Sequence, residues 1–231
     1  MKNIIEQKPT DKLHGRTLFS TRFVADEDIE GKEILNIGCG FGWAELNFFN
    51  RGGKKMIGIE ITEDDLKTAK ENLKDDKYLF KVGSALDIPF GNESLDTAVS
   101  FEVLEHIPKN TENKMFSEVS RVLRKGGIFY LSTPYKSFPS MVFDPAWWLI
   151  GHRHYSKKDL EIFEKEGGFE ILSIKVKGGF WNLLELLNMY FSKWVLRRKS
   201  VFADFFNKKI DDEYKKENGF MNIFVKLKKI K

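Results

Sequence analysis

The sequence predicts a doubly wound α/β fold, in which helices cover both faces of a mostly parallel sheet. Short apolar runs alternate with helical patterns between residues 33 and 132, and those apolar runs are nearly continuous. Strands that are buried on both faces of a parallel sheet have this continuous pattern. The chain has 231 residues, so it can also bury a full core without disulfides.

The predicted elements follow one another in the order that this fold requires. The strands are expected at residues 33–38, 55–60, 78–82, 94–101, 128–132, 169–177 and 222–228, and the helices at 43–50, 64–73, 112–123 and 157–166. Thr62 is suited to cap the second of these helices. An aromatic loop is expected over residues 133–151, and a helical insertion is expected before the last strand.

Composition and charge exclude several classes of protein. Cys39 is the one cysteine, so neither a disulfide framework nor a cysteine-based zinc site is expected. The chain has no apolar run of about 18 residues and no apolar N-terminal signal segment, so a reduced, cytoplasmic setting is expected. The formal net charge of +4 is uneven, because residues 193–231 contain 12 Lys and Arg against 5 Asp and Glu.

A glycine-rich turn, ILNIGCGFG, follows the first predicted strand. Glycine is needed where φ is positive or where a ligand touches the backbone. The pattern is not that of a phosphate loop, and Trp43 stands where a dinucleotide fingerprint has its third small residue. Glu60 ends the second strand, 18 residues after Gly42, where its carboxylate can accept hydrogen bonds from both hydroxyls of a ribose. Together these features predict a site for an adenosine-type cofactor.

Four segments in this order resemble the class I S-adenosylmethionine-dependent methyltransferases, in the broad small-molecule group that includes quinone-biosynthesis enzymes: ILNIGCGFG, MIGIEIT, VGSALDIPFGNESLDTAVSFEVLEHIP and VLRKGGIFYLSTP. The resemblance implies a Rossmann-like sheet of seven strands with an antiparallel last strand. It also implies a methyl-transferring enzyme with S-adenosyl-L-methionine as cofactor. The expected single domain comprises an N-terminal cap (1–30), a cofactor-binding core (31–134), a substrate-side loop, helix and strand (135–178), a helical lid (179–218) and the last strand (219–231).

The resemblance further implies which residues hold the cofactor. Residues against the methionine portion would be Gly38, Cys39, Gly40 and Gly42, the ribose would be bound by Glu60, and the adenine would be bordered by Ile61, Ser84, Ala85 and Leu86. Phe101 would present its backbone carbonyl to the cofactor ammonium. Ser84 departs from the Asp that the family often has there, because it can hydrogen-bond the adenine amino group but carries no charge.

Histidines are the predicted catalytic residues, since an imidazole with an ordinary pKa of about 6.5 can take a proton at neutral pH. His106 follows the fourth strand, and His152 and His154 precede the next helix, so both segments border the expected acceptor. We predict that His106 or His154 accepts the acceptor's proton; the alternative is that Glu105 and His106 only cap their loop. No metal site is expected, because no carboxylate stands at a ligand spacing from these histidines. Cys39 is expected to be a small packing residue.

The segment 180–209 has two interpretations that the sequence leaves open. Its first part, FWNLLELLNMYFSKWVL, has a wide apolar face, and Arg197, Arg198 and Lys199 follow it. Aromatic residues beside a basic cluster are typical of a helix that lies in a membrane interface. A lid on the sheet or a homodimer interface would bury the same face.

The sequence narrows the acceptor class without naming the acceptor. The [NDS]-P-P-[YFW] motif of amino-methylating nucleic-acid enzymes is missing after the fourth strand, where the sequence reads FEVLEH, so no nucleic-acid partner is expected. We expect methyl transfer to a small or amphipathic acceptor, lipid-like or a glycan-lipid, at a membrane surface. One alternative is a soluble small-molecule acceptor with 180–209 as lid or dimer interface. Another is a non-catalytic scaffold that binds S-adenosylmethionine.

Overall fold

A computed structural model describes residues 8–197 and 200–231 and confirms the predicted α/β fold. Its strands are β1 (Glu33–Ile37), β2 (Lys55–Glu60), β3 (Tyr78–Val82), β4 (Leu95–Phe101), β5 (Leu123–Pro134), β6 (Phe169–Lys177) and β7 (Asn222–Lys229). They form one sheet in the order β3-β2-β1-β4-β5-β7-β6. Strand β7 is antiparallel to both of its neighbours, β5 and β6, as the family resemblance implies.

Helices connect the strands along the described chain. They are α1 (Gly15–Phe23), α2 (Trp43–Asn50), α3 (Glu63–Asn72), α4 (Glu112–Val122), α5 (Phe138–Phe143), α6 (Pro145–Ile150), α7 (Lys157–Gly167), α8 (Phe180–Trp194) and α9 (Ala203–Tyr214). Two of the predicted helices begin with side-chain caps, one of them the expected cap at Thr62. The Thr62 side chain accepts from the backbone N–H of Asp65, and Ser156 forms a capping box with Asp159.

Three parts of the structure differ from the sequence prediction. The expected aromatic loop contains α5 and α6, and α5 begins with a capping box between Ser137 and Ser140 that was overlooked in the sequence. Helix α1 was not predicted, because its apolar residues show little helical periodicity. Strand β5 begins at Leu123 rather than after Gly126, since the pairing with β4 resumes through a register shift.

The sheet separates two apolar layers. On one face, α4 and α7 pack Met115, Phe116 and Leu160 against the strands. On the other face, α2 packs Phe48 against β1 and β4, and the segment after α1 contributes Val24. Burial runs almost unbroken along β1, β2 and β4, as a sheet covered on both faces requires.

The segment between β6 and β7 folds as the helix pair α8 and α9. These helices pack on each other, and α9 also packs against α1. Among the described residues, no helix has both the length and the apolar character needed to cross a bilayer. Residues 1–7 of the expected cap lie outside the described residues, as do Arg198 and Lys199 of the basic cluster.

Candidate cofactor and acceptor site

The glycine-rich turn joins β1 to α2 at the carboxyl edge of the sheet. Its Gly38 and Cys39 N–H groups both donate to the carbonyl of Ile59 on the neighbouring strand β2. A Cβ on Gly38 would collide with Val103 at 2.4 Å, whereas a Cβ on Gly40 would meet nothing within 4 Å. Both glycines have positive φ angles, of +76° and +55°. The turn therefore needs glycine at Gly38 for packing and leaves open space above Gly40.

A pocket of about 150 Å³ lies beside this turn, at the carboxyl ends of β1 and β2. It is lined by six residues that the sequence predicts as cofactor contacts: Gly38, Glu60, Ile61, Ser84, Ala85 and Leu86. The loop after β4 closes its other side with Val103, His106, Ile107 and Pro108. Ile61 is 63% exposed although it is large and apolar. Such a side chain on a pocket wall is suited to pack against a flat ring.

Glu60 links β2 to the glycine turn. Its Oε1 accepts a hydrogen bond from the backbone N–H of Gly40 at 2.7 Å. Burial raises the pKa of Glu60 above its ordinary value, and the bond from Gly40 opposes that shift. A carboxylate fixed at the pocket edge in this way is suited to accept hydrogen bonds from a sugar diol.

Five predicted site residues do not line this pocket: Cys39, Gly40, Gly42, Phe101 and His154. Gly42 precedes α2 with a φ of +89°, and a Cβ there would meet Leu73 at 2.7 Å. Cys39 is buried with its Sγ packed over Gly58, and burial raises the pKa of its thiol. A buried thiol of this kind is a packing group, not a nucleophile. The Phe101 ring packs on Trp43, with 5.7 Å between ring centroids. His154 is buried against the Trp147 ring, at 5.3 Å between centroids.

A hydrogen-bond network holds the start of the loop after β4. Glu102 has a positive φ of 58°, which is uncommon for a non-glycine residue. Its Oε2 accepts from Arg16 of α1 and from Asn222 of β7, each at 2.9 Å, and its Oε1 accepts from Ser132 at 2.7 Å. The cap helix α1 is thus tied to the same loop that lines the pocket.

Arg153 holds the next part of that loop. Its guanidinium donates to the carbonyls of Leu104 and Ile107 and forms an ion pair with Glu112 at 2.7 Å. The hydroxyl of Tyr155 also donates within this cluster, 3.0 Å from Glu112 and 3.1 Å from the Leu104 carbonyl. These contacts fix the backbone that carries Glu105 and His106.

An array of polar side chains lies at the mouth of the pocket, where His106 is exposed. The His106 and His152 rings are 4.9 Å apart between centroids. His152 Nδ1 lies 2.9 Å from Asp144 Oδ2, and Glu105 Oε2 accepts from the Thr133 hydroxyl at 3.0 Å. Sequence analysis identified His152 but missed Asp144, which lies between α5 and α6. The capping pair Ser137 and Ser140 is the sequence signal that could have predicted α5.

Burial and neighbouring charge shift the pKa values of this array. Desolvation by the surrounding protein lowers the pKa of His106 to about 4, and the charges of His152 and Arg153 act in the same direction. Burial raises the pKa of Glu105 well above its ordinary value, with the nearby charge of Glu102 adding to the effect. His106 is therefore a neutral imidazole at neutral pH.

Comparison with known proteins identifies the domain. Residues 35–131, from β1 to β5, match the family described as "Methyltransferase domain". The chain contains a class I S-adenosylmethionine-dependent methyltransferase domain. The cofactor of this domain is S-adenosylmethionine, and the residues at this sheet edge suit that molecule: there is open space above Gly40, a carboxylate at Glu60 and an exposed apolar side chain at Ile61.

Relatives of this methyltransferase domain act on different acceptors. Over 104 residues the chain is 32% identical to erythromycin 3''-O-methyltransferase of Saccharopolyspora erythraea and 33% identical to sterol 24-C-methyltransferase of Gibberella zeae. Each alignment covers 43% of this chain, and they cover 33% and 27% of the relatives. The chain thus spans about a third of the length of these relatives.

The fold extends beyond the matched segment. Geranyl diphosphate C-methyltransferase of Streptomyces coelicolor, in a complex with Mg²⁺, geranyl diphosphate and S-adenosyl-L-homocysteine, superposes with a TM-score of 0.68 at 17% identity. That alignment covers 92% of this chain and 78% of the other. At this identity the likeness concerns the fold alone, and at 92% coverage it extends beyond residues 35–131.

Proposed function

We propose that this chain transfers a methyl group from S-adenosylmethionine to a small, amphipathic, lipid-like acceptor at a membrane surface. The observation that carries the proposal is one continuous pocket wall, with Glu60 and Ile61 at the cofactor end and His106 at the open end. The bound cofactor supplies a sulfonium methyl group. The chain's residues bind, orient and shield the two reactants.

The cofactor end would be held by groups that are already placed. Glu60 would bind the ribose hydroxyls, Ile61 would cover one face of the adenine, and Ser84 would border the ring edge. The Ser84 hydroxyl accepts from the backbone N–H of Leu86 at 3.1 Å, which orders this loop. Gly38 and Gly40 would bring the backbone close to the methionine portion. Such positioning is the main contribution of a protein to a displacement reaction.

At the open end, the acceptor atom would lie against His106 and lose its proton there. His106 lines the pocket on its exposed side, so a ring nitrogen can contact an acceptor atom there. His154, the other predicted proton acceptor, lies behind His152 and is nearly inaccessible. We therefore propose His106, and not His154, as the group that contacts the acceptor.

An amphipathic acceptor is supported by the apolar surface around the site. Large exposed apolar residues on α5, α6, α8, α9 and the segments joining them are Phe138, Trp148, Phe180, Phe191, Trp194, Phe202 and Phe205. Helix α5 packs on α8, so the exposed apolar residues of the α5–α6 segment lie next to those of α8. Lys209 lies over the Trp181 and Phe205 rings, which places positive charge beside the aromatic surface. Aromatic and cationic groups together are suited to a membrane interface.

The methyltransferase proposal is tested by calorimetry and by transfer of label. Wild-type protein should bind S-adenosylmethionine, and incubation with methyl-labelled cofactor should label sterols, prenyl phosphates or other amphiphiles in preference to soluble amines and sugars. His106→Ala should lower turnover by about 100-fold or more while cofactor affinity is kept. Cofactor binding without transfer to any acceptor would instead support the non-catalytic scaffold. Labelling of soluble acceptors alone would contradict a lipid-like acceptor.

The membrane part has a separate test. Wild-type protein should sediment with phosphatidylcholine vesicles that contain phosphatidylglycerol, and a Trp194→Ala, Phe202→Ala double variant should stay in the supernatant. The matched control is Leu172→Ala with Ile162→Ala, which removes two exposed apolar groups from β6 and α7. If wild-type protein does not sediment with these vesicles and light scattering shows dimers, the exposed apolar surface is a dimer interface and not a membrane contact.

A further inference from the structure

We propose that Glu105, His106 and His152 bind a divalent transition-metal cation at the mouth of the pocket, and that the acceptor's oxygen binds this cation. The inference rests on the proposed function and deepens it. One ligand atom from each of the three residues lies within 4.8 Å of the others. The sequence analysis expected no metal site because no carboxylate stands at a local spacing from the histidines, yet the fold brings the loop after β4 to the segment before α7.

The arrangement leaves two electron-pair donors facing each other. His152 Nδ1 lies at hydrogen-bond distance from Asp144, so the ring donates there and its Nε2 carries the free lone pair. That Nε2 lies 3.8 Å from Glu105 Oε1. A shared proton would draw these atoms to about 2.8–3.0 Å. Ligand atoms about 2.0–2.2 Å from one cation stand about 3–4 Å apart, and the 3.8 Å between Glu105 and His152 lies in this range.

A second observation also points to a ligand. Glu105 is buried, and its Oε1 has no hydrogen-bond partner among the described residues. Its other oxygen is held by Thr133, so the carboxylate cannot rotate away without losing that bond. Buried polar atoms in folded proteins are nearly always paired. A cation between Glu105 and His152 would satisfy this atom.

The neighbouring charges allow a cation here. Arg16 and Arg153, the nearest guanidinium groups, are each paired with a carboxylate, Glu102 and Glu112 respectively. Glu102 is not a ligand, because both of its oxygens accept hydrogen bonds from other residues. Asp144 would act as a positioning residue, orienting His152 through Nδ1 as carboxylates do behind metal-bound histidines.

The donor set selects the kind of cation and the role that it would have. Two imidazoles and one carboxylate suit Zn²⁺, Fe²⁺ or Co²⁺, whereas Mg²⁺ prefers oxygen ligands. Three protein ligands leave open coordination positions on the exposed His106 side. A hydroxyl bound there loses its proton more readily, because the cation stabilises the oxyanion. With the cation bound, His106 would act as one of its ligands, and the proton released by the acceptor would pass to solvent at the exposed side of the site.

Metal binding can be measured without any turnover. Chelator-treated protein without a histidine tag should bind one Co²⁺ in calorimetry and develop the visible absorption of a protein-bound Co²⁺ ion. Glu105→Gln and His152→Ala should each abolish the absorption, and Asp144→Asn should weaken binding by about 10–100-fold. The control His14→Ala removes an exposed histidine that lies beside Asp211 and is not one of the proposed ligands, so Co²⁺ binding should not change.

Failure of the metal site and failure of the proposed function give different results in these experiments. Each variant is first titrated with S-adenosylmethionine, since unchanged cofactor affinity shows that the fold is intact. Binding of Co²⁺ that is unaffected by Glu105→Gln and His152→Ala, or no binding at all by wild-type protein, would overturn the site. Equally tight binding of Mg²⁺ would contradict the imidazole ligands. If wild-type protein binds Co²⁺ as expected but transfers no methyl group to any acceptor, the result contradicts the proposed function and leaves the metal site intact.

Discussion

The carboxylate of Glu60 accepts a hydrogen bond from the backbone N–H of Gly40 at 2.7 Å, so the end of β2 and the glycine turn form one surface. This bond orients the carboxylate toward the pocket that both segments line. A residue that orders the turn and also binds the ribose should have a large effect on cofactor affinity.

Replacing Glu60 with alanine should weaken S-adenosylmethionine binding by about 10–100-fold, since hydrogen bonds to a charged group contribute about 1.5–3 kcal/mol. Calorimetric titration measures the change directly. Glu63→Ala serves as the matched control, because Glu63 begins α3 three residues after Glu60 and forms an exposed ion pair with Lys70. Equal affinity of the two variants would contradict ribose binding by Glu60.

The sequence predicted the cofactor end of the site far better than the acceptor end. Gly38, Glu60 and Ser84 lie in or beside strands whose order follows from local apolar patterns, so their meeting at one sheet edge could be predicted. Asp144 and His152 meet Glu105 only because α5 and α6 fold back over the loop after β4. Such contacts depend on tertiary packing between segments about 40 residues apart, which no local pattern encodes.

Arg153→Ala should lower the free energy of unfolding by about 3–5 kcal/mol, because it leaves Glu112 and two backbone carbonyls without their partner in a shielded position. Urea unfolding measures the loss. Arg124→Ala is the control, since that guanidinium is 44% exposed in its ion pairs and should contribute only about 0–1 kcal/mol. Similar small losses in both variants would mean that Arg153 does not hold the loop.

The buried Glu45 should make the protein less stable as pH rises. Burial raises its pKa to about 8, and its Oε1 accepts from Asn36 at 3.0 Å. The unfolded chain releases this proton at about pH 4.5 whereas the folded chain keeps it, so stability falls as pH rises from about 4.5 to about 8. One pKa unit corresponds to about 1.4 kcal/mol, and the loss over this window is roughly 3–5 kcal/mol.

Glu45→Gln should therefore gain stability relative to the wild type between pH 5 and pH 8. The amide keeps the oxygen that accepts from Asn36 but has no proton to release in this range. Urea unfolding of both proteins at the two pH values measures the change, with the exposed Glu71→Gln as control. A stability difference that is the same at both pH values would show that Glu45 is already ionised in the folded protein.

Glu213 of α9 should control the order of helix α8. Its carboxylate accepts from the backbone N–H groups of Gly179, Trp181 and Asn182, which are the unpaired donors at the start of α8. Removing such a cap costs about 0.5–2 kcal/mol, so Glu213→Ala should speed amide hydrogen exchange in α8 by about 2–30-fold. Glu217→Ala, which removes an exposed carboxylate beside Lys175, is the control. If exchange over residues 180–194 is equally slow in both variants, α8 is held by its apolar packing on α9 and not by this cap.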